Sequence, residues 1–372
     1  MTVVRLENIS KTFRNTKTGD AIHALDGASL SVREAQTTAI VGPSGSGKST
    51  LLKVISGDVK GYDGDLFFDN RKMNAVKAKD RYLSKIFQSE ARYPHFQGIR
   101  TINYWLRRRE PEDKETRERI AQVAKTMSLS ETELLKRKQG RINNADELRL
   151  AIGRALARNP EIFLFDEPLS NLDPQLRNQT RLEIKRLLRN FRITALFVTH
   201  DQTEAMALGN QVAVMNAGRI EQTGTYRTVY ERPANTWVAG FLGLPPMNLF
   251  PGGSVADGTV RLGDVNIPVP DEIRHKVQAG QKITIGVRPE ESTLVTADEP
   301  DTEGVQVQGT VDLVEPDFAR NAQLIHVRTE SMTFQIRSTL AEKIKVSDNI
   351  TVLLPLKHLN YFDGHNEERI SS

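Results

Sequence analysis

The sequence predicts an α/β domain built on a parallel sheet, followed by a smaller, mostly β domain. Three observations predict it. Apolar strand-like runs alternate with helical stretches through about the first 240 residues. Polar groups suited to chemistry stand at the C-terminal ends of those runs, the place where open parallel sheets keep their sites. Beyond about residue 245 the texture changes to short alternating runs. At 372 residues the chain is too long for one average domain, and two are expected.

From the start, Val3–Ile9 alternates as a half-buried strand does, 15–20 is a polar loop, and 28–32 alternates again. The apolar run 38–41 leads into Gly42-Pro43-Ser44-Gly45-Ser46-Gly47-Lys48-Ser49-Thr50, and Leu51 opens a helix reaching about Ser56. The pattern G-x-x-x-x-G-K-[ST] between a strand and a helix is a phosphate-binding loop. Gly42, Gly45 and Gly47 let the main chain approach a ligand closely. Successive N–H groups at a helix start form an anion cradle. Lys48 supplies positive charge for the outer phosphates, and Ser49 offers a hydroxyl to Mg²⁺. The bland alternative is a Gly/Ser turn that happens to carry a lysine.

Residues 65–69 make a short strand, and 100–137 is charged and helix-prone. Its run Arg107-Arg108-Arg109-Glu110 reads as a solvated helix face. Leu148–Arg158 is a helical segment stopped by Asn159-Pro160. The next stretch, Glu161 to Pro168, is an apolar run that reads as a buried strand ending in Asp166 and Glu167. An amphipathic helix over 175–190 precedes a second buried strand, 194–198, which ends in Thr199-His200-Asp201. Pro245-Pro246 and Pro251-Gly252-Gly253 mark a turn-rich boundary. After it come alternating runs at 260–262, 282–287, 305–313, 323–327, 332–336 and 350–354, enough for one or two small barrels.

Composition narrows the function. Net charge is +4 and the isoelectric point is near 9.1, a weak argument for nucleic acid, and no nucleic-acid partner is expected. Cysteine is absent, which excludes disulfides, thiol catalysis and Cys-ligated zinc. No run approaches 18 apolar residues, and the N-terminus lacks the pattern of a signal peptide, so a membrane role would come through partner chains.

The chemistry gathers around the phosphate loop. Asp166 suits a Mg²⁺ ligand, directly or through water, and Glu167 suits the group that orients and polarises an attacking water. His200, ending a buried strand, is placed to reach a γ-phosphate. An Asp-Glu pair or a lone histidine is by itself more often structural. The ordered set, with Ser170-Asn171-Leu172-Asp173 behind it, makes the case.

This ordered set resembles the ATPase subunits of ABC transporters. In that resemblance Lys11-Thr12-Phe13 carries the aromatic that stacks on adenine, and Ile86-Phe87-Gln88-Ser89 carries the glutamine that meets Mg²⁺ and senses the membrane partner. Residues 170–173 cross the dimer interface, and His200 is the switch histidine. Tyr93-Pro94-His95, the stretches 199–206 and 240–248, and Gly286-Val287-Arg288-Pro289-Glu290 are similar to the maltose-type carbohydrate importers. The resemblance covers nearly the whole chain.

It implies an α/β P-loop NTPase, an ABC ATPase with a helical subdomain at about 89–158, over residues 1–240, and a small all-β, OB-like regulatory domain over 241–372. It implies ATP and Mg²⁺, bound by Phe13, the loop 42–50, Gln88 and Asp166, with Glu167 and His200 catalytic. It further implies two membrane permease subunits, an extracytoplasmic solute-binding protein, and a peripheral place on the cytoplasmic face of the inner membrane. The solute is expected to be a sugar, polyol or related compound. The alternatives are another solute class and a catalytically weak regulatory ATP binder. A soluble DNA-acting ATPase of the same superfamily is disfavoured, because the 93–95 region and the tail look importer-like and no long coiled-coil insertion appears.

One segment departs from the family. Where its signature reads Leu-Ser-Gly-Gly-Gln, this chain has Ile142-Asn143-Asn144-Ala145-Asp146. In the family dimer that signature grips the γ-phosphate held by the other subunit's loop. Here both glycines are gone, and Asp146 and Glu147 add negative charge at a helix start, which suits the helix dipole and repels a triphosphate. A homodimer would face two poor signatures. The expectation is a heterodimer with a second ATPase whose signature is intact.

Overall fold

A computed structural model describes residues 2–14, 19–86, 125, 144–157, 160–263, 265–295 and 303–370. Gln88, Phe87, the 93–95 segment, most of the expected helical subdomain, Ile142 and Asn143 lie outside the described residues. The chain divides into two compact units, Met1–Arg227 and Thr228–Ser372.

The first unit holds two sheets. One is antiparallel, with β1 (Val4–Arg14), β2 (Ala21–Val32), β4 (Asp63–Phe68) and β5 (Arg71–Lys72) in the order β2-β1-β4-β5. The first strand therefore runs five residues past Ile9, and Phe13 stands on it, paired with Ile22 of β2. The other sheet has β3 (Thr37–Val41), β6 (Leu83–Ile86), β7 (Ile162–Asp166), β8 (Thr194–Thr199), β9 (Gln211–Asn216) and β10 (Arg219–Gly224) in the order β10-β9-β3-β8-β7-β6. All its pairs are parallel except β10 with β9.

The helices are α1 (Lys48–Ser56), α2 (Asn144–Ala157), α3 (Pro174–Phe191) and α4 (Gln202–Leu208). Helix α2 starts four residues before the expected Leu148. Helix α3 begins at a strong signal: Asp173 accepts from the Leu176 N–H at 3.1 Å, with Pro174 at the first helical position.

The parallel sheet is covered on both faces, which is why its strands read as continuous apolar runs. Phe163, Phe165 and Phe197 point to one face and pack with Leu148, Ile152, Ile184 and Leu187 of α2 and α3. Leu164, Leu196 and Val198 point to the other and pack with Leu51 and Ile55 of α1 and Leu6 of β1. The Phe163 and Phe165 rings stack at 4.6 Å between centroids.

The last turn of α1 is fastened by Arg81, which is 3% exposed. Its guanidinium donates to Val54 O (2.8 Å), Ile55 O (2.7 Å), Met73 O (2.9 Å) and Val76 O (3.1 Å). A cation at a helix C-terminus satisfies its orphan carbonyls and its dipole together.

In the second unit, α5 (Tyr226–Glu231) straddles the division and α6 (Thr236–Phe241) packs on the strands. One sheet orders β11 (Asn248–Ala256), β12 (Thr259–Leu262), β13 (Val265–Pro268), β14 (Lys282–Val287) and β20 (Asn360–Asp363) as β13-β12-β11-β14-β20. The other orders β15 (Thr293–Leu294), β16 (Gly304–Asp317), β17 (Ala322–Arg328), β18 (Thr333–Thr339) and β19 (Asn349–Pro355) as β15-β19-β16-β17-β18. A short helix, α7 (Asp271–Arg274), follows β13. Both sheets are antiparallel and share one apolar core, with Phe250 edge-on to Phe334.

Two sequence expectations change here. Pro251-Gly252-Gly253 is not a boundary turn; it lies inside β11, where the register with β14 shifts between Phe250 and Gly253, a bulge that absorbs the proline and glycines. The compact units divide at 227/228, where the family resemblance implies a domain boundary at 240/241. Arg288, 4% exposed, lies 3.9 Å from the Tyr230 ring and donates to Ala239 O, Leu242 O and Tyr230 O, so residues from 228 on belong with the β unit.

Arg81→Leu strips the charged donor from three buried carbonyls and a partly buried one. Unfolding in urea should show a loss on the order of 3 kcal/mol; a loss under about 0.5 kcal/mol, the range of ordinary surface changes, would contradict the fastening role.

Candidate nucleotide site

Strands β3, β8 and β7 lie side by side and parallel, with Val41 level with Thr199 and Asp166 level with Val198. Their C-terminal ends therefore bring Gly42, His200 and Glu167 to one edge.

The loop 42–47 leaves β3 and enters α1. A Cβ on Gly42 would stand 2.1 Å from Met215 O and 2.7 Å from Ser46 Oγ. Gly47 has φ 103 and no room either, since a Cβ there would stand 2.3 Å from Ala24 O. Ser46 is buried and its carbonyl accepts from the Gly218 N–H at 3.0 Å. Pro43, Ser44 and Gly45 are exposed on the outer rim, and Thr50 is half-buried in the first turn of α1.

Lys48 is 5% exposed and curls over the loop. Its ammonium donates to Gly42 O (2.9 Å) and Pro43 O (2.8 Å), with Ser46 Oγ at 3.4 Å. Burial pulls its pKa below the ordinary lysine value, while Glu167 and Asp166 pull the other way. A triphosphate in the loop would give this charge its natural partner in place of neutral carbonyls.

Ser49 Oγ donates to Asp166 Oδ1 at 2.9 Å. A hydroxyl and a carboxylate side by side fit a hard cation, so Ser49 and Asp166 would hold Mg²⁺. Phosphate and water oxygens would supply further ligands.

Glu167 sits at φ 49, left-handed for a residue with a Cβ, a conformation that costs on the order of 1 kcal/mol or more. It is held there by its N–H donating to Val198 O (3.0 Å) and by Ser170 Oγ donating to Glu167 O (2.9 Å). Its carboxylate faces His200, with Nδ1 3.1 Å from Oε2, so the ring nitrogen is the donor. His200 is exposed toward the loop edge. Phe13 is 39% exposed, with Lys11 Nζ 5.2 Å from its ring centre, open for stacking on a base.

At the departed signature, Asn144 begins α2 and Ala145 is fully buried. Asn144 Nδ2 donates to Asn171 O at 3.3 Å. Asp146 does not stand as a bare charge: Arg149 donates to it at 2.7 Å and also grips Glu183 of α3 at 2.8 and 3.0 Å. Burial disfavours the Arg149 charge, yet Glu183 and Asp146 outweigh it and hold its pKa above the ordinary arginine value. The repulsion expected from Asp146 is thus largely neutralised inside the chain.

Residues 25–170 match the ABC transporter family model, and residues 243–291 match the MalK OB fold domain model. The xylose/arabinose import ATP-binding protein XacK of Haloferax volcanii is 35% identical over 100% of this chain and 96% of its own. The chain belongs to the ABC transporter ATP-binding family. The sn-glycerol-3-phosphate import ATP-binding proteins UgpC of Chromohalobacter salexigens and of Escherichia coli O6:H1 are 36% and 37% identical, over 98% and 92% of this chain and 95% and 93% of theirs. Among solved structures, the ATP-binding cassette MJ0796, a dimer in a post-hydrolysis state bound to ADP and Pi, is 28% identical with a TM-score of 0.52, over 60% of this chain and 98% of that one. The ADP conformation of the cassette MJ1267 is also 28% identical, TM-score 0.53, over 63% and 96%.

In this ABC protein the fold gathers Phe13's strand, the loop, Ser49, Asp166, Glu167 and His200 in the first unit, while Gln88 lies outside the described residues. Sequence reading missed Arg81 and Arg149, and gave no role to Arg288, which it quoted only within the stretch 286–290. Each also bonds partners well away in the chain, Arg81 at Val54, Arg149 at Glu183 and Arg288 at Ala239, and no local pattern announces those bonds.

Lys48→Ala should weaken ATP binding at least about tenfold, the value of one charge-assisted bond to phosphate, measured by titration with a fluorescent ATP analogue. Gly47→Ala should do the same by forcing the loop out of its seat. Unchanged affinity in both would mean the triphosphate binds elsewhere.

Proposed function

We propose that this chain couples ATP binding and hydrolysis to import of a sugar, a polyol or a related compound such as a polyol phosphate. It works on two membrane permease subunits, at the cytoplasmic face of the membrane, with an extracytoplasmic binding protein delivering the solute. No helix among the described residues is long and apolar enough to cross a membrane, so the permeases supply the path. The named activities of the xylose/arabinose and glycerol-phosphate relatives support the solute class. The first unit serves as the ATPase and the β unit as its regulatory domain.

The observation that carries the reading is the pair of contacts at the strand ends, Ser49 with Asp166 and Glu167 with His200, beside a loop built for phosphates. Phe13 stacks the base, and Lys48 and the loop N–H groups hold the β- and γ-phosphates. Glu167 orients a water and takes its proton as the water oxygen bonds to the γ-phosphorus. The bond from that phosphorus to the bridging oxygen breaks, leaving ADP and phosphate. His200 bonds the γ-phosphate oxygens as charge shifts onto them. Ser49, Asp166 and, through the family resemblance, Gln88 would hold Mg²⁺, which when bound would supply charge neutralisation at the phosphates. Nucleotide biases a two-state clamp, and the permeases follow its closure.

The partner across the clamp is proposed to be a second ATPase with an intact signature. Asn144 carries an exposed side chain where a glycine would let the backbone meet a γ-phosphate. At the start of α2, Asn144 donates to Asn171 O and Asp146 accepts from Arg149. One site is then whole, and the other binds ATP and hydrolyses it poorly. The same observation favours a second reading, an ATP-binding subunit that clamps without catalysis.

Two measurements separate these. Glu167→Gln in the assembled transporter should cut turnover about 100-fold or more while ATP binding stays near wild type; unchanged transport would favour the regulatory subunit. The chain alone should hydrolyse ATP far more slowly than with its partner ATPase. Vigorous turnover by the lone chain would show a working homodimer instead.

A further inference from the structure

We propose that Glu204 is the positioning residue for His200, acting through the Thr199 hydroxyl. The inference rests on the ATPase reading above.

His200 lies on a turn whose two flanks are pinned. On one side is Thr199, the last residue of β8, 2% exposed. Its hydroxyl donates to Glu204 Oε2 at 2.7 Å and accepts from the Asp201 N–H at 3.0 Å. On the other side Asp201 caps α4, its Oδ1 accepting from the Thr203 N–H (2.7 Å) and the Glu204 N–H (3.3 Å). The ring closes: Glu204 holds Thr199, Thr199 holds Asp201, and Asp201 holds the N–H of Glu204. His200 is the residue inside this ring whose side chain is outside it, and that side chain faces Glu167.

Glu204 is a costly way to fill space. It is 4% exposed in the first turn of α4, and a carboxylate there has lost its water. Burial pushes its carboxyl pKa up; the Thr199 hydroxyl pulls it down, Asp201 raises it further, and the charges of Arg177 and His200 lower it. Asp201 and His200 lie on its own turn, and Arg177 faces it from α3, which packs against α4. Arg177 in turn donates to Leu172 O at 2.9 Å. The cation whose charge attracts this anion thus also holds the loop 170–173. A side chain that only filled a gap would need neither the hydroxyl bond nor the countercharge.

The test uses the transporter complex purified from its native membrane through a tag on this chain. Glu204→Ala and Thr199→Val should each lower kcat for ATP by about ten- to a hundredfold, with KM for ATP within about twofold. The double variant should be no worse than either alone, because both remove one link. Glu204→Gln keeps an acceptor for the Thr199 hydroxyl and loses the attraction to Arg177, so its kcat should fall between wild type and Glu204→Ala. If Glu204→Ala does not assemble, Thr199→Val and Glu204→Gln carry the test. The proposal is overturned by kcat within twofold of wild type in the variants that assemble, by a raised KM at unchanged kcat, or by Glu204→Gln at or below Glu204→Ala. His200→Ala in the same preparation separates the two failures. If it too leaves kcat intact, the catalytic reading of His200 is wrong; if it lowers kcat while the others do not, only the positioning role falls.

Discussion

Everything chemical in this protein depends on three strands being neighbours. Residues 41, 166 and 199 are far apart in the chain, yet the parallel order β3-β8-β7 sets their ends level. Parallel strands need long crossovers, and burial on both faces leaves their polar ends as the only place for charge. The apolar faces that α1, α2 and α3 cover therefore fix the site as well as the core. A shift of β7 against β8 would move Glu167 away from His200 before it disturbed either residue locally.

What the sequence made legible follows from this. The loop 42–50 is legible because its requirements are local: glycines at φ 103 and at a 2.1 Å approach, a lysine, and a hydroxyl at the helix start. The buried strands are legible because both faces are covered. The remainder depends on partners distant in sequence. Arg149 and Glu183 are 34 residues apart, and Arg81 reaches back 27 residues to Val54. The outer half of β1 is exposed, so periodicity fades there, and pairing with β2 rather than burial keeps it a strand. Pro251-Gly252-Gly253 misleads for the opposite reason: turn residues are also bulge residues, and only pairing tells them apart.

The departed signature is where sequence and structure say different things. Read as a string, it has lost glycines and gained acids. In the fold, Asp146 is part of a bonded network in which Arg149 joins it to Glu183, and Gln179 donates to Glu183 at 3.1 Å. Such a network costs desolvation and returns rigidity only when every member is bonded. The start of α2 is therefore an ordered surface fastened to α3, not a damaged one. A poor grip on a γ-phosphate would then come from the exposed Asn144 side chain, where the family has a glycine, rather than from charge.

The loop 170–173 shows where these fastenings meet. Its first residue bonds the carbonyl of Glu167, its second accepts from Asn144 of α2, and its third accepts from Arg177 of α3. Asp173 then caps α3. Four successive residues are tied to the Glu167 backbone, to the start of α2 and to α3. A displacement of α2 cannot leave Glu167 untouched, because Ser170 and Asn171 are adjacent and the left-handed conformation of Glu167 has little freedom to absorb it. In this chain the start of α2 is thus coupled in cis to the strand end that carries Asp166 and Glu167.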